Sequence, residues 1–320
     1  MSVVILNYNG GDLLLPTVAS AFETSPGLTR EVILVDNAST DGSQARAVAA
    51  FPALRVHQKP VNEGFGRANN EGMLLGRGRF LLVLNNDAVL AADALQRMVD
   101  ALRDDAGAAM AGPRVMNGEG NLQVTFGPLP SVRGYLPSAR QALADRIDRA
   151  PDPAVRAEAS RAFIARYGYA ERREVENLCG VCMLVRRDAA VQVGLFDERF
   201  TFYYEDMEWS GRARRAGWRV LHVGDAVVHH AWRPLGTKRT SRQMALARRF
   251  SQGLYFRAWG GGALFALTLG RLALAAALGR AGTGGAVSAR EELDAFRAGA
   301  AAASEPPRIP RPAPLDVPGD

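Results

Sequence analysis

The chain has 320 residues, 48% of them apolar and 22% charged. These are the proportions of a folded globular protein, and they exclude a disordered or fibrous chain. The formal net charge of +6 implies an anionic partner: nucleic acid, an acidic membrane surface or a phosphorylated small molecule. Arginines are spread along the chain without any nucleic-acid-binding signature, so no nucleic acid is expected.

Val3-Val4-Ile5-Leu6 reads as a buried strand, ending in the polar glycine turn Asn7-Tyr8-Asn9-Gly10-Gly11. No basic leader or cleavage site precedes it, so a cytoplasmic protein without a signal peptide is expected. A helix fits Leu13–Thr24. A second strand over Glu31–Val35 ends in Asp36-Asn37-Ala38-Ser39-Thr40-Asp41-Gly42, and the next helix, capped by Thr40 or Asp41, runs to about Phe51. Leu54–Gln58 fits a third strand, Gly66–Leu75 a helix, and Phe80–Leu84 a fully buried central strand. Buried strand, polar loop and amphipathic helix in alternation define βαβ units and a parallel sheet. The right-handed crossover rule then gathers Asn7, Asp36, Phe65 to Arg67 and Asp87 at one sheet edge, where open α/β sheets bind ligands.

Residues 131–177 interrupt this order with a charged, mostly helical stretch, and 178–186 resume strand character. A helix is expected over Asp206–Ala216, then strands over Trp218–Val223 and Ala226–His230. Beyond them lie a basic segment, an apolar stretch at 258–279 and a Pro-rich tail, expected to be disordered over 301–320. Cys179 and Cys182, in LCGVCMLV, have no second Cys or Cys/His pair to complete a zinc site. They read as small buried hydrophobes.

Five segments carry chemistry. Asn85-Asn86-Asp87 closes the central strand with oxygen ligands suited to a hard divalent cation that also touches phosphate. Asp36 can accept the N3–H of a uracil or thymine ring. Asn62–Asn70 is a glycine loop opening a helix, whose N-terminus and Arg67 suit a phosphate. Glu205-Asp206, set among Phe202, Tyr203, Tyr204 and Trp209, is a desolvated like-charge pair of the kind that raises one carboxyl toward a general base. In Val228-His229-His230, alternation along a strand sends one imidazole to the site and the other away.

Taken in order, ILNYNG, ILVDNASTDGS, NEGFGRANN, LVLNNDAVL, GLFDERFTFYYEDMEW and VVHHAW resemble the family 2 inverting glycosyltransferases from about Val3 to Trp232. The rhamnosyltransferase-like branch is the nearest in pattern. The resemblance implies a GT-A catalytic domain over 1–235: an α/β, Rossmann-like sandwich around a mixed, mostly parallel sheet, with 131–177 as a helical acceptor-side insertion and 236–300 as a helical extension. It implies Asp206, beside Glu205, as catalytic base. Asn7, Asp36, Phe65, Arg67, Asn86 and Asp87 would hold the nucleotide-sugar, and Asp87 and His229 would ligate Mg2+ or Mn2+. Trp232 would sit near the sugar or acceptor. Asn85 replaces the first acid of the usual Asp-x-Asp, leaving most ionic ligation to Asp87.

The partners implied are a dTDP- or UDP-linked sugar donor and a glycan or lipid-linked acceptor in cell-surface polysaccharide synthesis. Rhamnose on dTDP is the leading donor. A UDP-sugar-dependent transferase (galactofuranosyl or polyprenyl-phosphate) and an inactive nucleotide-sugar scaffold are the rivals. A sugar nucleotidyltransferase is disfavoured, because the loop after the first strand carries no basic residue. The apolar 258–279 stretch, beside Lys238, Arg239, Arg242, Arg248 and Arg249, fits a helix packed on the protein, a dimer contact or a peripheral anchor at the inner face of the plasma membrane. Arg271 and Arg280, nine positions apart, are expected on opposite faces of that helix, spoiling an amphipathic stripe.

Overall fold

A computed structural model describes residues 1–132, 138–231, 242–282 and 287–315. The first half is β1 (Ser2–Asn7), α1 (Leu14–Glu23), β2 (Glu31–Asp36), α2 (Ser43–Ala50), β3 (Arg55–Gln58), α3 (Phe65–Leu75) and β4 (Phe80–Asn85). Next come β5 (Ala88–Leu90), α4 (Ala94–Asp104), β6 (Ala108–Asn117), β7 (Leu122–Gln123), β8 (Phe126–Gly127), α5 (Ala139–Arg149) and α6 (Pro153–Tyr167). Then follow β9 (Arg172–Glu174), β10 (Asn177–Leu178), β11 (Cys182–Arg186), α7 (Arg187–Val193), α8 (Glu205–Arg215) and β12 (Arg219–His230). Helices α9 (Arg242–Ala258), α10 (Gly261–Ala277) and α11 (Ala289–Ala302) complete the described chain.

The main sheet runs β3-β2-β1-β4-β11-β6-β12-β5. Its first four strands are parallel, as βαβ units require. β11 then enters antiparallel to both β4 and β6, β12 lies parallel to β6, and β5 returns antiparallel on β12. The sheet is mixed, with its parallel character concentrated in the half that carries the nucleotide-type loops. The two strands expected over 218–230 are one strand, broken in register between Val223 and Val227. The Gly224-Asp225 interruption is absorbed as a bulge.

Alternation along the strands sorts the core into two layers. Val3, Ile5, Leu34, Leu82 and Leu84 face α1 and α4, while Val4, Ile33, Val35, Leu81 and Val83 face the α3, α7 and α8 side. A Cβ on Gly72 would overlap the Val4 side chain, so the glycine lets the α3 backbone rest on β1.

A third core joins α9, α10 and α11 to the segment flanking the acid pair. It contains Leu254, Phe256, Leu264, Leu272, Leu293 and Phe296 with Phe200, Tyr204 and Met207. The Pro-rich tail, expected to be disordered, is instead docked as far as it is described. The Leu195 N–H donates to the Pro310 carbonyl at 2.8 Å and the Glu198 N–H to that of Arg308 at 2.9 Å. Arg187 reaches the Ala313 carbonyl at 3.2 Å. Composition misses this because the tail needs no core of its own: it satisfies its carbonyls on a surface already folded.

Candidate active site

The parallel register brings the first cluster together. Asn7 pairs with Asp36 and Leu6 with Asn85, so the ends of β1, β2 and β4 are level. Asn7 Nδ2 donates to Asp36 Oδ1 at 2.8 Å and lies 3.0 Å from the Ser39 and Ser43 hydroxyls. Asn7 Oδ1 accepts from Asn86 Nδ2 at 3.0 Å. The other Asp36 oxygen accepts from the Ser39 N–H at 3.0 Å and Gln58 Nε2 at 2.8 Å. Asp36 is 1% exposed, so its carboxylate forms the floor of this edge. Buried polar groups need such partners, and these cross-links hold three loops at fixed spacing.

Asp87 follows directly. His230 Nε2 lies 3.0 Å from Asp87 Oδ1, and His230 Nδ1 lies 2.7 Å from Gln123 Oε1. An Nδ1–H donated to Gln123 leaves Nε2 of the neutral ring with a lone pair facing the carboxylate. Two acceptors so placed call for a cation, either a proton on the ring or a metal ion. Carboxylate oxygen plus an imidazole oriented by an outer hydrogen bond is a donor set that fits Mn2+, the imidazole being softer than Mg2+ prefers. Among the described residues no group of three or more His, Cys, Asp or Glu forms a metal cage. Substrate phosphate and water would therefore complete the ligands, as Mg2+ favours. The expected ligand His229 is corrected here: it is exposed, because the strand alternates its side chains and turns it away while His230 is buried.

The acid pair opens α8. Tyr203 and Tyr204, immediately before it, both adopt left-handed backbone, φ 67° and 71°, a conformation costly for bulky residues and concentrated at functional sites. Asp206 Oδ2 accepts the Gly180 N–H at 2.9 Å, and its other oxygen accepts the Met207 N–H at 2.8 Å. Burial raises the Asp206 pKa despite these hydrogen bonds. Glu205, 5% exposed with Oε2 unpartnered, is pushed well up by burial and then by the Asp206 charge. Such neighbours titrate as a pair.

The Cys179–Cys182 segment connects the two clusters. Gly180 donates to Asp206, and the next carbonyl, of Val181, accepts the Asn85 N–H at 3.0 Å. Both thiols are free. Cys182 is buried as expected, whereas Cys179 lines a cavity beside Asp206 with its thiol pushed up to about 12 by burial. Phe65, first in α3, lays its ring edge against Gly180 and contacts Phe196 and Phe202. The first amide of α3 is not free for phosphate, since the Phe65 N–H donates to the Thr201 carbonyl at 3.4 Å. Arg67 stands half-exposed, held by Glu63 at 3.6 Å and Glu198 at 3.4 Å. Trp232 lies outside the described residues.

The cavity, about 890 Å3, runs from Asp206, Tyr203 and Cys179 across to Arg140 of α5 and to Arg248, Phe256, Arg271 and Leu272 of α9 and α10. Asn7, Asp36, Asn86, Asp87 and His230 are not in its lining. Asp206 thus sits at the seam between the strand-edge cluster and a separate, arginine-lined chamber.

Solved structures share this architecture. GalNAc-T7, determined with UDP, GalNAc and Mn2+, superposes with a TM-score of 0.57 at 19% identity, over 81% of this chain and 47% of that one. The Pyrobaculum calidifontis mannosyltransferase PcManGT, with GDP-Man and Mn2+, superposes with a TM-score of 0.53 at 18% identity, over 95% and 74%. The fold is that of the GT-A glycosyltransferases. Residues 2–194 match Glycosyl transferase family 2, and the chain belongs to that family and is a glycosyltransferase. It is also 30% identical over 244 residues, 68% of its length, to the N-acetylglucosaminyl-diphospho-decaprenol L-rhamnosyltransferase of Mycobacterium tuberculosis, covering 76% of that protein.

Sequence reasoning did not find Gln123, Gly180, Ser39 of the Asn37–Gly42 loop or Ser43 at the start of α2 as site residues. Ser39 and Ser43 had a legible signal, small hydroxyls just after a strand-end acid. Gln123 had none, because its role depends on β7 pairing with β6 next to β12.

Proposed function

We propose that the chain is a metal-dependent, inverting transferase that moves a sugar, with L-rhamnose from dTDP-rhamnose as leading donor, to a hydroxyl of a lipid-linked glycan. The observation that carries this reading is the position of Asp206: a buried carboxylate of raised pKa, facing a chamber large enough for an acceptor and tied through Gly180 and Val181 to the strand-edge cluster. The mycobacterial relative named as acting on a lipid diphosphate supports the same acceptor class.

Asp206 takes the proton from the acceptor hydroxyl as its oxygen attacks the anomeric carbon opposite the leaving diphosphate. One bond forms as the other breaks, so the configuration inverts and no sugar–enzyme bond is needed. A positioned base of this kind contributes about 10²–10⁴-fold. Glu205, pushed well up by burial and by the Asp206 charge, is the neutral member of the pair when Asp206 is charged. Asn7, Asn86 and Asp36 hold the nucleotide, with Asp36 Oδ1, which carries one hydrogen bond, left to accept a pyrimidine N3–H. Phe65 and Arg67 flank the diphosphate, and Trp232 the sugar. Asp87 and His230 would hold the divalent ion, whose chemistry is to neutralise charge on the leaving diphosphate. The place of action is the cytoplasmic face of the plasma membrane.

A thermal-shift panel of dTDP-, UDP- and GDP-sugars with and without Mn2+ or Mg2+, followed by transfer to a diphospholipid-linked N-acetylglucosamine, tests the proposal. A saturating donor at 100 times its dissociation constant adds about 2.7 kcal/mol. A metal-dependent shift with dTDP-rhamnose and a rhamnosylated product are expected. A shift with UDP-sugars alone replaces the donor, and no shift or product with any donor overturns the reading.

A further inference from the structure

Helix α10 has two apolar faces, and the described residues cover only one. Leu264 and Leu272 point inward to the third core, and Thr268 and Leu272 line the Asp206 cavity. The outer arc is Ala263, Ala266, Leu267, Gly270, Leu274 and Leu278, a spacing of three and four that keeps one side of a helix. Leu267, Leu274 and Leu278 are 41%, 61% and 57% exposed. Arg280, expected to break this stripe from the opposite face, lies beyond the end of α10, and Arg271 falls at the margin of the arc.

We infer that α10 is an interfacial helix that seats the cavity against an anionic lipid bilayer, so that a lipid-linked acceptor presents its glycan to Asp206 without leaving the membrane. The acceptor part of this statement rests on the function proposed above; the bilayer contact does not.

Charge selects the occupant. Between Asp225 and Glu291 the sequence has ten Lys or Arg and no Asp or Glu. Arg271 at the margin of the arc, Arg280 just past its end and Arg257 at the end of α9 are all exposed, as are the cations of helices that lie in anionic headgroups. Trp259, 39% exposed, stands at the α9–α10 turn, a residue suited to that depth. A second copy of the chain fits worse, because a two-fold contact through α10 would bring the same arginines together. Among the described residues no helix is long and apolar enough to cross a membrane. A helix is about 10 Å thick, so one immersed on its outer face holds the cavity a single helix diameter above the lipid.

The test is co-sedimentation of the full chain with phosphatidylcholine vesicles containing 30% phosphatidylglycerol, beside vesicles without it, at roughly physiological salt. The wild-type chain should sediment with the anionic vesicles. The variant Leu267→Glu/Leu274→Glu/Leu278→Glu should lose about tenfold or more of that binding, and Arg257→Gln and Arg280→Gln about fivefold each. In the triple variant the donor-induced melting shift should persist, showing an intact nucleotide site, and transfer should fall for a vesicle-embedded acceptor but not for a short-chain soluble one. Binding of the triple variant equal to wild type overturns the inference, as does a wild-type chain that stays in the supernatant. A wild-type dimer dissolved by the triple variant, without vesicle binding, assigns the face to a second copy instead. Vesicle binding in a chain that transfers no sugar would leave the interfacial helix standing and remove the proposed function.

Discussion

His230, not His229, faces Asp87: its Nε2 lies 3.0 Å from the carboxylate while Gln123 holds the far side of the ring at 2.7 Å. One residue of strand register separates a candidate metal ligand from an exposed imidazole. His230→Ala should abolish metal-dependent stabilisation by the donor, whereas His229→Ala should change stability by less than about 0.5 kcal/mol. Gln123→Leu, which removes only the orienting bond, should weaken metal affinity by about 10–100-fold. Titrating Mn2+ against the melting temperature with saturating nucleotide reads all three. A His229→Ala variant as impaired as His230→Ala would reverse the assignment.

Asp206→Asn should lower transfer by about 10²–10⁴-fold with nucleotide binding unchanged, since Asp206 is outside the Asn7–Asp36–Asn86 network. Its pKa is raised, by burial first, so the base is protonated and idle at low pH. Activity per unit substrate should therefore rise with pH through that raised value. Glu205→Gln replaces a carboxyl that burial and the Asp206 charge already hold protonated, so it should leave the limb in place. A limb that moves to lower pH in this variant, measured as kcat/KM from pH 4.5 to 8, would show instead that a charged Glu205 raises Asp206.

His222 offers an independent test of burial. It is fully enclosed beside Phe126 and Tyr169, its Nε2 bonded to the Tyr169 carbonyl at 3.0 Å. Desolvation pulls its pKa from 6.5 to about 4. Between those values the unfolded chain binds the proton and the folded one does not, so stability is full above the higher value and lost as pH falls toward the lower. The loss is on the order of 3 kcal/mol. Urea unfolding at pH 7 and pH 4.5 should show it, and His222→Gln should flatten the difference. An unchanged difference in the variant assigns the acid sensitivity elsewhere.

Gly253 and Gly299 let α9 and α11 touch backbone to backbone. A Cβ on Gly253 would overlap the Phe296 carbonyl, and one on Gly299 that of Phe250. Either Gly→Ala change should cost about 1–3 kcal/mol by overpacking. The cavity lining from α9 and α10 should loosen with it, raising KM for the acceptor more than for the donor. Equal effects on the two substrates would show that these helices do not shape the acceptor chamber.

The local pattern along the chain already determined the parallel half of the sheet, the level ends of β1, β2 and β4, and hence the meeting of Asn7 and Asp36. Buried βαβ strands admit one handedness and one ligand edge, so alternation suffices to place those residues. The acid pair was also legible, because aromatic neighbours and adjacent like charge are properties of a short segment. What required the tertiary structure was everything set by pairing across distance. The bulge in β12 and its neighbours β5 and β6 decide which histidine turns inward. The Gly180–Val181 link depends on β11 entering the sheet antiparallel beside β4. The apolar 258–279 stretch reads the same whether covered or bare, and only its packing on Tyr204 and Met207 shows which face remains open. Composition reports what a segment can bury; its partners decide what it does bury.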